Sequence, residues 1–279
     1  MLSVGTVEKP DEGVGCPAWW QPSAADFWFA DLVLLTPHSH WLKWPNLAQL
    51  NALLGPELTL VAAQEQQQGY EAHIYRHGQV PTRSHNWHDL YNALIWALFP
   101  ASKRAMNRAH MVAMHDTAGR GPRRDAITLF DECGLLLVAE EPAVFAELNA
   151  HHWPALLWQR RRQWLAGTIR PYLFGHALYE ALRQPFAGLC GKVLGVVVDA
   201  HFGQLALAER YRLLDQQLAV AIDNNRVLTA PRQLAPLPLL GIPGAVITNA
   251  EPDYYLGEQF RPLRRPRLGF DCLDLRVST

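Results

Sequence analysis

"RDAITLFDECGLLLVAEE", residues 124–141, is the stretch on which the fold turns. Two apolar runs flank Asp131, Glu132, Cys133 and Gly134. Apolar, branched segments on either side of a short glycine-containing turn are the local signature of a β-hairpin, with Gly134 free to take a positive φ. Read this way, the stretch predicts a hairpin at about residues 125–140, with Asp131 and Glu132 at its tip. The rest of the chain carries mostly helical periodicity. The fold class that follows is α+β: a mostly helical single domain with a small β-sheet that includes this hairpin.

Upstream, "RSHNWHDLYNALIWALFPASKRAMNRAH" (residues 83–110) reads as two helices. Asn86 is a candidate N-cap with Asp89 three residues later, a capping box using Asp in place of Glu. Pro100 ends the first helix near Phe99, and Ser102 is placed to cap the second. A short link makes the two helices antiparallel neighbours. At a rise of about 1.5 Å per residue, His88 and Asn92 come level with Asn107 and His110. Four polar side chains then converge at the open end of the pair, with Lys103 near the link and out of their reach.

Further out, "EQQQGYEAHIYRHGQVPTRS" (65–84) predicts short strands around a turn at Gly78. Downstream, "FGHALYEAL" (174–182) is a short helix with His176 and Glu180 one turn apart, and "KVLGVVVDA" (192–200) is a buried strand. "QLALAERYRLLDQQLAVAIDNN" (204–225) is a long amphipathic helix whose core stripe is Leu207, Tyr211, Leu214, Leu218 and Ile222. Arginines 160–162 predict a solvated basic face. The domain division that results is a loosely ordered arm over 1–20, one globular domain over 21–262, and an extended tail over 263–279.

A net charge of −1 provides no field to draw the protein to nucleic acid or to an anionic membrane. No apolar run reaches the roughly 20 residues that span a bilayer, and the N-terminal residues lack the pattern of a secretory signal. Cys16, Cys133, Cys190 and Cys272 lie far apart, which disfavours a zinc ribbon or a redox dithiol and fits reduced thiols in the cytoplasm. No phosphate-binding glycine loop and no nucleophile elbow is present. The partner expected is a small-molecule ligand or substrate, and the oligomeric state is left open.

Polar groups embedded in apolar helices cost about 1–3 kcal/mol each if left unpartnered, and proteins accept such costs chiefly at working sites. That points to an enzyme, with metal-assisted hydrolysis as the leading chemistry. His88, Asp89, Asn92, Lys103, Asn107 and Arg83 are the candidate catalytic set. His88, Glu132, His176 and Glu180 are the candidate ligands of a divalent zinc, manganese or iron ion, since imidazole plus carboxylate is what such sites use. Lys103 or Arg83 would hold an anionic group of the substrate. Two other readings stand beside it. One is a non-catalytic binder that uses a Trp-rich pocket. The other is a metal-dependent His-Asn-His nuclease, with His73 as general base and Asn92 on the following helix.

Residues 82–110, "RRDAITLFDECGLLL" (123–137), "FGHALYEAL" (174–182) and "PLPLLGIPG" (236–244) resemble, in order, the motifs of a proteobacterial family catalogued as domain of unknown function number 3025. The resemblance runs from about Trp44 to Pro262 and brings no established activity. It implies that Thr82, Arg83, His88, Asp89, Asn92, Lys103, Asn107, Asp125, Asp131, Glu132, His176 and Glu180 lie in the motif blocks.

Overall fold

A computed structural model describes residues 27–38, 41, 43–63, 69–116, 121–263 and 269–276. The expected arm over 1–20, Cys16 and residues 264–268 of the tail lie outside them.

The chain order begins with a 3-10 helix, Ala30–His38, and then α1, Leu47–Asn51. In α1, Asn46 and Gln49 cap each other reciprocally. β1 (Thr59–Ala62) and β2 (Gln79–Thr82) pair in parallel, so they need a crossover rather than a turn. That crossover contains α2, Tyr70–His77, where strands were expected. Gly78 ends α2 at φ 61°, and a Cβ there would lie 2.8 Å from the Glu57 carbonyl oxygen.

α3 (Trp87–Leu98) and α4 (Pro100–Asp116) fall where the sequence places two helices, and Asn86 accepts the Asp89 N–H as N-cap. Their packing departs from expectation. They turn a corner at Phe99 and do not lie side by side. α4 packs chiefly along a later helix, α9 (Leu207–Asp223), and α3 chiefly along α8 (His176–Ala181).

The opening stretch is not a hairpin. Residues Pro122–Cys133 form α5, and Gly134–Ala139 form β3 directly after it. Pro122 opens the helix, Asp125 sits in its first turn, and Ala126, Ile127 and Phe130 make its buried face. Gly134 has φ −73°, so it is not a left-handed turn residue. It is glycine for space. A Cβ would lie 2.3 Å from the Phe130 carbonyl oxygen and 2.6 Å from its ring.

α6 (Ala143–Asn149) leads to a π-helix, Pro154–Gln159, and α7 (Arg161–Ala166), with the irregularity falling around Pro154. Arg160 is no free basic face, since it pairs with Glu147 at 2.7 Å and Glu141 at 2.8 Å. Next come β4 (Ile169–Leu173), α8 (His176–Ala181), β5 (Cys190–Val197), α9 (Leu207–Asp223), β6 (Ala235–Pro238) and β7 (Cys272–Asp274). β3 is buried along its whole length, antiparallel to β4 and parallel to β5. β5 offers the first half of its other edge to β6 and the second half to β7. Part of the expected tail is therefore a strand of the main sheet.

The cap of α4 comes from across the fold. The Asp215 carboxylate on α9 accepts the N–H groups of Ala101 at 2.9 Å and Ser102 at 2.7 Å, while the Ser102 hydroxyl donates to the Asp215 carbonyl at 2.9 Å. Ser102 was expected to cap the helix itself. Instead it completes a junction that pins α4 to α9. Among the described residues no helix is long and apolar enough to cross a membrane.

Candidate metal centre

Two helices and a helix end meet at one point. Tyr91 of α3 stacks on Tyr179 of α8, rings 5.5 Å apart and 13° from parallel, and both are fully buried. One turn earlier on each helix stand His88 and His176, so the tyrosine stack sets the two imidazoles against each other. Gly175 brings the third partner. Its N–H donates to the Gly134 carbonyl at 2.7 Å, and a Cβ there would lie 2.4 Å from the Glu132 carbonyl oxygen. Only a glycine lets the β4–α8 turn press on the end of α5, placing His176 beside Glu132.

His88 Nε2 lies 2.9 Å from His176 Nε2. Glu132 Oε2 is 3.5 Å from His176 Nε2 and 3.9 Å from His88 Nε2. One donor atom from each residue falls within 4.8 Å of the others. Ligands about 2.1 Å from a common metal sit about 3.0–3.4 Å from one another, so the cluster is compatible with a shared metal ion, with Glu132 standing slightly wide of that spacing from His88.

The far nitrogens strengthen the case. His88 Nδ1 is 3.2 Å from Glu180 Oε2, and His176 Nδ1 faces Asp131, with Oδ1 at 4.0 Å. An imidazole that donates from Nδ1 to a carboxylate presents a lone pair at Nε2. His176 Nδ1 lies beyond hydrogen-bond distance of Asp131 Oδ1. The 2.9 Å contact between the two Nε2 atoms is therefore closed either by a proton, with one ring donating to the other, or by a cation. Glu180 faces the far nitrogen of His88, while the residues whose donor atoms lie within 4.8 Å of one another are His88, Glu132 and His176.

Charge points the same way. Burial lowers the His176 pKa to about 4, against the pull of Asp131, so the ring is neutral near neutrality. Burial pushes the Glu132 carboxyl up, and Asp131 and Glu180 add to the shift against His88 and Lys103. Burial pushes Asp131 up too, but the Lys103 ammonium and then His176 hold it below the usual carboxylate range. Asp131, Glu132 and Glu180 outnumber the cations beside them, Lys103 at Asp131 and Arg183 near Glu180, so the cluster carries a net negative charge that favours a cation. Asp131 and Glu132 also occupy the last turn of α5, the negative end of the helix, where acids are unfavourable.

Lys103 is 5% exposed and donates to Asn92 at 2.9 Å and to Asp131. Asn92 in turn donates to the Tyr70 hydroxyl at 3.0 Å. Lys103 was placed out of reach of Asn92 because antiparallel helices were assumed. The corner at Phe99 swings it inward. Asn107 and His110 do not meet His88. Asn107 donates to Glu71 on α2, to its carbonyl at 2.9 Å and its carboxylate at 2.5 Å. His110 is buried, and its Nδ1 has no hydrogen-bond partner among the described residues. Arg83 is bound to Asp89 through its backbone N–H at 2.6 Å, Nε at 2.9 Å and Nη2 at 2.7 Å, so Asp89 braces the corner between β2 and α3.

The centre opens to solvent on one side, with His88 34% and Glu132 39% exposed against 5% for His176. A cavity of about 800 Å³ is lined by His151, Trp153, Glu258 and Arg261 among others and by none of the cluster.

The fold and the cluster together define an α+β protein with a two-histidine, one-carboxylate centre. The chain belongs to the family described as "Protein of unknown function (DUF3025)", whose profile matches residues 58–264. His88, Lys103, Asp131, Glu132, His176 and Glu180 all fall inside that span. No curated protein and no solved structure matched the chain.

Proposed function

We propose that this protein is a metal-dependent hydrolase whose His88, Glu132 and His176 hold a divalent zinc, manganese or iron ion. The observation that carries the reading is the approach of two histidine Nε2 atoms to 2.9 Å, with Glu180 3.2 Å from the far nitrogen of His88 and Glu132 Oε2 closing the triangle. Three protein ligands on a solvent-open rim leave positions for water and substrate. A metal bound there would lower the pKa of a water and supply a nucleophile at neutral pH. The chain's own residues prepare that chemistry. Glu180 fixes the tautomer of His88, Asp131 faces the far nitrogen of His176, and Lys103 keeps Asp131 ionised. The ligand this reading assigns to the solvent-exposed rim is a small molecule. The unpaired Cys133, Cys190 and Cys272 support a reducing, cytoplasmic setting.

The nuclease reading loses its support. It requires a ββ-hairpin before the helix that carries Asn92, and His73 lies on α2, its ring 4.8 Å from that of His77. The test is hydrolysis of p-nitrophenyl acetate and p-nitrophenyl phosphate by protein stripped of metal and reloaded with zinc, manganese or iron. Turnover that follows metal content, and is absent in His176→Ala, is expected. Stoichiometric metal with no turnover of either ester would favour a binding protein instead.

A further inference from the structure

We infer that the substrate carries an anionic oxygen group, a phosphate or a carboxylate, and that Arg183 receives it beside the metal centre. This rests on the metal-site reading and assigns its substrate class. The cations first expected in that role are already committed, Lys103 to Asp131 and Asn92, Arg83 to Asp89. Arg183 is not. Its guanidinium carbon lies 3.6 Å from the centroid of the Trp87 ring, and no carboxylate among the described residues comes within ion-pair distance of it.

Its place in the fold is set by the same two helices as the centre. Trp87 immediately precedes His88, and Arg183 follows Glu180 by three residues, just beyond the Leu182 C-cap of α8. Glu180 is the acid that helical spacing would offer to Arg183, yet its carboxylate is turned to His88 Nδ1. The Trp87 platform is itself braced, edge-on to Trp44 at 4.7 Å and stacked on Tyr91 at 6.0 Å. A guanidinium held over such a ring keeps its five N–H donors free for an anion. Those donors match two oxygens of a phosphate or carboxylate in parallel bonds. Glu132 and Glu180 would repel an anion on their own. With a divalent ion in place that repulsion is neutralised, so metal and guanidinium together make an anion site that neither makes alone.

The test is calorimetric titration of inorganic phosphate and, separately, acetate into metal-loaded protein at constant ionic strength, with metal content measured on every sample. Wild type is expected to bind at least one of the two. Arg183→Gln should retain its metal and bind that anion at least tenfold more weakly, and Arg183→Lys should recover only part of the loss, since an ammonium lacks the planar fork. Which anion binds more tightly distinguishes a phosphate from a carboxylate substrate. Equal affinity in wild type and Arg183→Gln, or no binding of either anion to metal-loaded wild type, would overturn the assignment with the metal site intact. Wild type that takes up no metal would instead defeat the metal reading and this inference with it.

Discussion

Lys103 shows how a single side chain was misplaced by sequence reasoning and what its true position does. Its lysine–aspartate pair is buried on the ammonium side, and removing one member of such a pair costs about 3–5 kcal/mol because the other charge is left stranded. Asp131 keeps partial solvent access, so the lower end applies. Lys103→Met should destabilise the protein by about 3 kcal/mol, read as a lowered midpoint in urea unfolding. Glu180 offers the opposite profile. Glu180→Ala removes a half-buried carboxylate whose partner is the far nitrogen of His88. It should leave stability nearly unchanged and weaken metal binding about 10–100-fold, measured by competition with a chromogenic chelator. Loss of folding in Glu180→Ala would assign that residue to the scaffold. Residue types alone singled out His88, Glu132 and His176, which the fold brings within 4.8 Å of one another. Their grouping with Glu180 was legible, but not its different role, because which ring nitrogen faces which carboxylate depends on rotamers that a sequence does not carry.

At the scale of elements, both helices of the opening region were legible because caps and prolines mark ends locally. Their mutual angle was not. It is decided by Asp215, over a hundred residues away, whose carboxylate satisfies two N–H groups at the start of α4. Asp215→Ala should cost about 2–3 kcal/mol, the range for losing an N-cap and leaving buried donors unpaired. Asp215→Asn, which keeps one acceptor oxygen, should cost less, and equal losses in thermal unfolding would contradict the capping role. The hairpin misreading has the same origin. A run such as "AITLF" fits strand and helix alike, and length is the usual arbiter. Here the apparent turn is the last turn of α5, and Gly134 is demanded by the Phe130 ring rather than by positive φ. The two folds put Asp131 and Glu132 in different chemical settings. At a hairpin tip they would be solvated acids. At the end of α5 they are held against Lys103 and the two histidines.

For the whole molecule, the quantity to follow is charge. His176 ionises at about pH 4 in the folded metal-free protein against 6.5 as the ordinary value. Between those values the unfolded chain binds a proton that the folded chain refuses. This contribution is therefore complete above about pH 6.5 and is lost as pH falls toward 4, amounting to about 3 kcal/mol. Glu132, pushed up by burial, acts with the opposite sign, so the informative quantity is the difference between wild type and His176→Asn. The stability of metal-free wild type should fall more steeply over that interval than that of His176→Asn. Parallel curves would show that His176 does not titrate as its burial requires.

The most direct measurement is the metal content of purified, untagged protein by elemental analysis, wild type beside His88→Ala, His176→Ala and Glu132→Gln, after incubation with zinc, manganese or iron and removal of excess. One equivalent of a transition metal in the wild type, with its loss or strong depletion in each folded variant, is expected. Metal-free wild type after all three incubations, or metal retained equally in all three variants, would contradict the centre assigned to His88, Glu132 and His176.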